Sequence, residues 1–170
     1  MATLKKTLIV LNKLQTEGLW QQYAIGGAVA ALFYIEPFQT EDLDILILLT
    51  PAESASLAPL SRIFEYLRHE GFAESGPFVM IHGVPVQFLI AYSPLVEEAV
   101  RQSKEVLYED VPTRVLLPEH LSAIMVETGR AKDRARFDLM RQQAELDCEK
   151  LRLIATQFGL LERMDRWTNE

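Results

Sequence analysis

Apolar residues in this chain recur first at helical spacing, then in short runs, then at helical spacing again. Leu4, Leu8, Leu11 and Leu14, with lysines on the other side, predict a surface helix over 3–17 that packs one stripe inward, with Gly18 as its stop. Residues 23–25 read as a short strand, Gly26 and Gly27 as a turn, and 28 to about 34 as an apolar helix. After Pro37 a second strand opens on Asp42 and Asp44 and is otherwise apolar through Leu49. A strand without a polar face belongs inside a sheet covered on both sides. Helical spacing returns at Leu57, Leu60, Ile63, Phe64 and Leu67, closed by Gly71. Residues 78–81 and 84–90 then form a hairpin through His82–Gly83, with Pro85 placing the start of its second strand at an edge or bulge. Residues 95–101 read as a short acidic helix, and 106–117, broken by Pro112, as one or two short strands. Pro118 suits the first turn of a helix running through His120, Leu121, Ile124 and Met125 to Gly129. The last forty residues read as helix, with Phe137, Met140, Ala144, Leu151, Ile154 and Phe158 at apolar spacings. The expected fold is α/β (α+β): a mixed β-sheet flanked by helices, with a helical C-terminal half. A single domain over 1–170 is expected, with a sheet-containing core to about 117 and helices from about 118.

Composition narrows the class. Of 170 residues, 49% are apolar, enough for an ordinary core and too many for a disordered chain. No apolar run approaches the roughly 18 residues of a membrane span, so no membrane partner is expected. The first fourteen residues are basic and then apolar, but Asn12 and Lys13 interrupt the run and no small-residue cleavage site follows. An amphipathic helix is expected there rather than a signal peptide. A single cysteine, Cys148, excludes a disulfide framework and a cysteine zinc cluster within the chain, which fits a reducing, cytoplasmic location. The net charge of −7 argues against general DNA binding, which needs a strong positive field.

Three features carry candidate chemistry. Asp42 and Asp44, two apart on a strand, point to one face at the mouth of an apolar segment. Unpaired, they repel each other and lose hydration, and a hard divalent cation relieves both costs. The plainer reading is an acidic turn at 40–42 with Asp44 at the strand edge. Gly26–Gly27 joins a strand to a helix, where backbone N–H groups can approach a phosphate, although such glycines also serve simple close packing. Arg130, Lys132, Arg134, Arg136 and Arg141 crowd five cations into twelve positions of an acidic chain. They are either a solvated helix face with local ion pairs to Asp133 and Asp138, or a site for triphosphate oxygens. His69, His82 and His120 show no ligand spacing and are assigned to the surface, and Cys148 carries no assigned chemistry. Trp20 and Tyr23 are expected to pack beneath the first strand.

A strand ending in Gly26–Gly27, a helix, and then Thr40-Glu41-Asp42-Leu43-Asp44-Ile45 resembles the nucleotidyltransferase fold of the DNA-polymerase-β superfamily. Within it the chain looks most like small bacterial nucleotidyltransferases that include the AbiEii-type toxins. The resemblance spans about residues 20–90, and more loosely 132–134. It implies that Asp42 and Asp44 hold Mg²⁺ (or Mn²⁺), and that Gly26, Gly27, Thr40, Arg130, Lys132 and Arg134 bind a nucleoside triphosphate. It further implies transfer of a nucleoside monophosphate to a hydroxyl of a small molecule, an RNA or a protein, in a chain that could pair with an antitoxin-like protein. Two positions depart from the pattern. Gln87 stands where many relatives carry a third catalytic carboxylate, and Phe38–Gln39 stand where a basic residue is common. A neutral amide offers a carbonyl oxygen but cannot act as a base, which leaves open a degenerate nucleotide-binding or protein-interaction module. Glu41 and Asp133 are the carboxylates that could replace the third one.

Overall fold

The computed structural model describes residues 2–169. Its elements run α1 (Ala2–Thr16), β1 (Gln22–Ile25), α2 (Gly27–Ala31), β2 (Leu43–Leu48), α3 (Pro51–Ser54), α4 (Ser61–His69), β3 (Ala73–Ser75), β4 (Phe78–Ile81), β5 (Val84–Ile90), α5 (Pro94–Arg101), β6 (Lys104–Tyr108), β7 (Val111–Val115), α6 (Pro118–Thr128), α7 (Ala131–Gln143), α8 (Cys148–Gln157) and α9 (Leu161–Asn169). The seven strands form one mixed sheet in the order β3-β4-β5-β2-β1-β7-β6. The expected fold class is the observed one.

The strand with no polar face lies at the centre. β2 runs antiparallel to β1 and parallel to β5, and all its residues except Asp44 are buried. One face of the sheet packs against α1, whose Leu8, Leu11 and Leu14 are buried as their spacing predicts. Trp20 lies beneath the sheet there, its ring 5.8 Å from Tyr23 and 6.1 Å from Phe88. Phe64 of α4 meets Phe88 edge-on. Helices α2 and α5 pack over the central strands, and α6 packs against α2, α5, α7 and α8. Nearly every side of α6 is therefore covered, and eight of its residues are buried. A helix covered on nearly every side is a central helix.

Several local details differ from the sequence reading, each for a physical reason. α2 is one short helix ending at Ala31, because the chain then tightens into turns as far as Ile35. Pro112 does not break its segment. It sits inside β7, which meets β1 through the single Ile25–Val115 pair and so leaves the proline unburdened by a second ladder. β6 and β7 join through Glu109 and Asp110, both at positive φ (45° and 70°), the geometry of a two-residue hairpin turn without its usual Asn or Gly. His82 and Gly83 adopt the same geometry, as expected. Pro85 lies before the β2–β5 pairing begins at Val86, so a central strand accommodates it at its start. His120 is not at the surface. It is fully buried, with Nε2 3.1 Å from a Glu98 carboxylate oxygen.

The β1–α2 junction fixes the site. Gly26 is extended, and its N–H donates to the Asp44 carbonyl at 2.9 Å, extending the β1–β2 ladder by one bond. Gly27 then turns at φ +56°, and a Cβ there would fall 1.9 Å from an Asp44 carboxylate oxygen. Only a residue without a side chain lets the turn close over the strand. Gly27→Ala is expected to lower stability by more than the about 1–2 kcal/mol of the left-handed backbone alone. Gly71→Ala, at φ +88° with open space around it, supplies the backbone-only reference. Urea titration of both variants checks this, and equal losses would show that the contact with Asp44 constrains nothing.

Candidate active site

A cavity of about 370 Å³ opens where the carboxyl-terminal side of β1 meets the start of β2, beneath α6 and the start of α7. Its polar wall holds Asp42, Asp44, Gln87, Arg130, Lys132, Asp133 and Arg136, with Gly27 at its edge. Its apolar wall is built by Leu46 and Leu89 from the sheet, by Leu116, and by Leu121, Ile124 and Met125 of α6. Ala28, Tyr92 and Thr128 complete the lining. The sheet register explains this grouping. Asp44 and Gln87 are direct partners on parallel neighbours, and residues two apart share a face. Asp42, Asp44 and Leu46 therefore meet Gln87 and Leu89 on the α6 side, while Ile45, Ile47 and Phe88 point into the opposite core.

The electrostatics centre on Asp44. Burial pushes its carboxyl up to about 6, the Asp42 carboxylate adds to the rise, and Arg130, Lys132 and Arg136 oppose it. Desolvation and a like charge thus outweigh three cations. Two hard carboxylates with the Gln87 amide oxygen beside them form a donor set suited to a small divalent cation that completes its shell with substrate phosphates and water. No cluster of three or more metal-ligating His, Cys, Asp or Glu side chains occurs among the described residues. The fit is thus to a cation held by two carboxylates.

The cations reach the cavity from the first turns of α7. Gly129, at φ +73°, ends α6. The Arg163 guanidinium donates to the carbonyls of Val126 and Glu127 at 3.0 and 2.9 Å, satisfying the end of that helix. Arg130 then caps α7 through Asp133: its Nε donates to one carboxylate oxygen at 2.6 Å, its Nη2 to the other at 3.1 Å, and its own N–H to the first at 3.3 Å. Asp133 is buried and this pairing engages both its oxygens. Arg136, one turn on, lies with its guanidinium 5.5 Å from the centre of the Phe38 ring. The Gln143 side chain accepts the Glu36 N–H at 2.9 Å. The loop before Asp42 is thereby fastened to α7, and the aspartates and cations form one unit.

Of the residues singled out in the sequence, the structure brings Gly27, Asp42, Asp44, Gln87, Arg130 and Lys132 to the cavity. Gly26, Thr40 and Arg134 do not line it. The Gly26 N–H is engaged by the β2 backbone, so its part is to set the turn. Glu41 is exposed outside the cavity, whereas Asp133 lines it in a bidentate grip. Arg136 was visible only as one member of a basic cluster. Tyr92 and Thr128 gave no signal, because a lone tyrosine after a strand and a threonine at a helix end are ordinary residues.

No family model matches the chain, and no curated protein matches it. Solved structures do. An antigenic nucleotidyltransferase-like protein from Paracoccidioides brasiliensis is similar at 14% identity with a TM-score of 0.56, over 93% of this chain and 87% of that one. The antibiotic-resistance factor ANT(2'')-Ia in solution is similar at 17% identity and a TM-score of 0.52, over 98% of this chain and 99% of its own. The crystal structure of ANT(2'')-Ia in complex with adenylyl-2"-tobramycin is similar at 18% identity and a TM-score of 0.53, over 92% and 98%. Similarity that runs nearly end to end at so low an identity speaks to architecture: the chain has a nucleotidyltransferase-type fold.

Proposed function

We propose that this protein is a Mg²⁺-dependent nucleotidyltransferase, moving a nucleoside monophosphate from a nucleoside triphosphate to an acceptor oxygen with release of pyrophosphate. The observation that carries the reading is the Asp42–Asp44 pair, with Asp44 desolvated, sharing one cavity with Lys132, Arg130 and Arg136 on this fold. Asp42 and Asp44 would hold Mg²⁺, or Mn²⁺ in its place. A divalent ion there supplies charge stabilisation to the phosphoryl group under attack. Gly27 keeps the turn free of side chains where phosphates approach. Lys132 offers a mobile point charge and Arg136 a planar fork to phosphate oxygens. Arg130, gripped by Asp133, contributes a fixed positive potential over Asp44. The leucines of the sheet and the apolar side of α6 exclude water, which strengthens each of these interactions. The adenylyl-2"-tobramycin held in the ANT(2'')-Ia complex, an adenylylated compound on a similar fold, supports this reading.

A second reading has one observation in its favour: Gln87, not a carboxylate, is the cross-strand partner of Asp44. On that reading the chain is a nucleotide-binding or protein-pairing module, with an antitoxin-like partner of the kind the AbiEii-type resemblance implies. Incubation with Mg²⁺, each labelled triphosphate and a panel of hydroxyl, phosphate and carboxylate acceptors separates the two. Pyrophosphate release supports transfer, and Mg²⁺–nucleotide binding with no turnover supports the module.

Two substitutions probe the site itself. Asp44→Asn is expected to weaken Mg²⁺–ATP binding by calorimetry at least about tenfold, equivalent to about 1.4 kcal/mol. Unchanged affinity would remove the metal site. The same variant is expected to be more stable than the native chain at neutral pH. The folded carboxyl titrates near 6, above its ordinary 3.8, so between these values the folded chain holds a proton that the unfolded chain has released. Native stability therefore falls as pH rises through this window and stays lower above it. Asparagine relieves a cost on the order of 2 kcal/mol at pH 7.5, a gain that should vanish below about pH 4, where both states are protonated. Melting curves at the two pH values read the difference. Lys132→Ala is expected to weaken ATP binding more than AMP binding, and an equal loss for both would make the basic turn a plain surface.

A further inference from the structure

The cavity holds nucleotide-binding chemistry without a free base, and this bears on what accepts the transferred group. A neutral hydroxyl must lose its proton to attack phosphorus, and a positioned base contributes about a hundredfold to ten-thousandfold to such a step. Among the described residues that line the cavity, the only carboxylates are Asp42, Asp44 and Asp133, and no histidine is present. Asp42 and Asp44 are the cation ligands. Asp133 has both oxygens held by Arg130 at 2.6 and 3.1 Å and is buried. The position beside Asp44 on the neighbouring strand is the amide of Gln87. Desolvation raises the Tyr92 phenol, so it stays protonated and cannot take up a proton. Glu127, in the last turn of α6, accepts the Ser93 hydroxyl at 3.1 Å and does not line the cavity. Lys132 and Arg136 meanwhile present positive charge to whatever enters.

Resting on the nucleotidyltransferase reading, we infer that the acceptor brings its own ionised oxygen: it is a phosphate monoester or a carboxylate, not a neutral hydroxyl compound. In the reaction this implies, the acceptor oxyanion forms a bond to the α-phosphorus. The bond from that phosphorus to the bridging oxygen of the β-phosphate breaks, and its electron pair leaves with pyrophosphate. No proton passes to the protein. The product is an anhydride: a pyrophosphate linkage from a phosphate acceptor, an acyl phosphate from a carboxylate. Gln87 is suited to this step because its amide can orient an anionic acceptor through N–H donation, whereas a carboxylate at 87 would repel it.

The test uses the full chain with Mg²⁺ and ATP labelled on the α-phosphate, first with water as the only acceptor. Native protein is expected to form AMP no faster than the protein-free control, because water needs a base. Gln87→Glu is expected to gain hydrolysis to AMP and pyrophosphate by at least about tenfold, and Gln87→Asp serves as a second variant. In parallel arms the native protein meets sugar 1-phosphates, short-chain carboxylates, or the matching unphosphorylated sugars. Label in a pyrophosphate linkage or an acyl phosphate, with none on the unphosphorylated sugars, supports the inference and tells its two sources apart. Label on the unphosphorylated sugars, hydrolysis by the native protein, or no gain in either Gln87 variant that still binds Mg²⁺–ATP overturns it. Absence of Mg²⁺–ATP binding to the native protein, read by calorimetry, instead overturns the transferase reading and takes this inference with it.

Discussion

The close approach of Gly27 to Asp44 is the constraint on which the rest of the site depends. With a side chain at 27 the turn after β1 would meet the Asp44 carboxylate at 1.9 Å, and α2 could not start where it does. With the turn in place, the Gly26 N–H extends the ladder to β2, and the Asp44 side chain is held half-buried on the α6 side of the sheet. Its carboxyl then lies in surroundings that oppose its charge, with a second carboxylate nearby. A fold selected for stability alone would place an apolar or amide side chain there. The site therefore stores a local electrostatic cost that a bound cation would relieve, which is how binding sites commonly trade stability for function.

The opposite wall answers that cost without removing it. The Arg130–Asp133 grip makes α7 begin with a neutralised buried acid and a guanidinium fixed in orientation. Lys132 and Arg136, on the same helix, are left to face the cavity. Arg136 also lies over Phe38 and Gln143 accepts from Glu36, which ties the loop carrying Asp42 to the helix carrying the cations. Arg130, Lys132 and Arg136 thus place positive charge where a polyphosphate would need it, in a chain of net charge −7.

How far this was legible in the sequence depends on the kind of interaction. The unbroken apolar run after Asp44 was sufficient to place β2 inside the sheet, since burial on both faces leaves no other reading. The Gly26–Gly27 turn and the aspartate pair were visible because their chemistry is local. Gln87 could be named from the hairpin pattern, but its register opposite Asp44 is a fact of strand pairing between distant segments. In the sequence Asp133 reads as a spare carboxylate, and only three-dimensional geometry shows both its oxygens occupied. Glu109–Asp110 hid a two-residue turn because neither residue advertises positive φ as Gly or Asn would. The sequence leaves the burial of His120 illegible, because a helix's period does not reveal that neighbours cover all its sides.

Gln87 connects these levels. At the end of a buried parallel pair, an ionised side chain beside Asp44 would add a third negative charge to a desolvated position already raised by Asp42. An amide removes that repulsion, keeps an oxygen available to a cation, and adds N–H donors at the cavity wall. The substitution that looks like a loss when judged by the number of carboxylates is, in electrostatic terms, a change in what the site could hold next to a cation. A pocket with two acids, an amide and neighbouring cations is poorly suited to abstracting a proton and well suited to accommodating a second anion. The identity of one neutral side chain thus decides which acceptor chemistry the cavity favours, even though the fold around it is that of proteins sharing under a fifth of its residues.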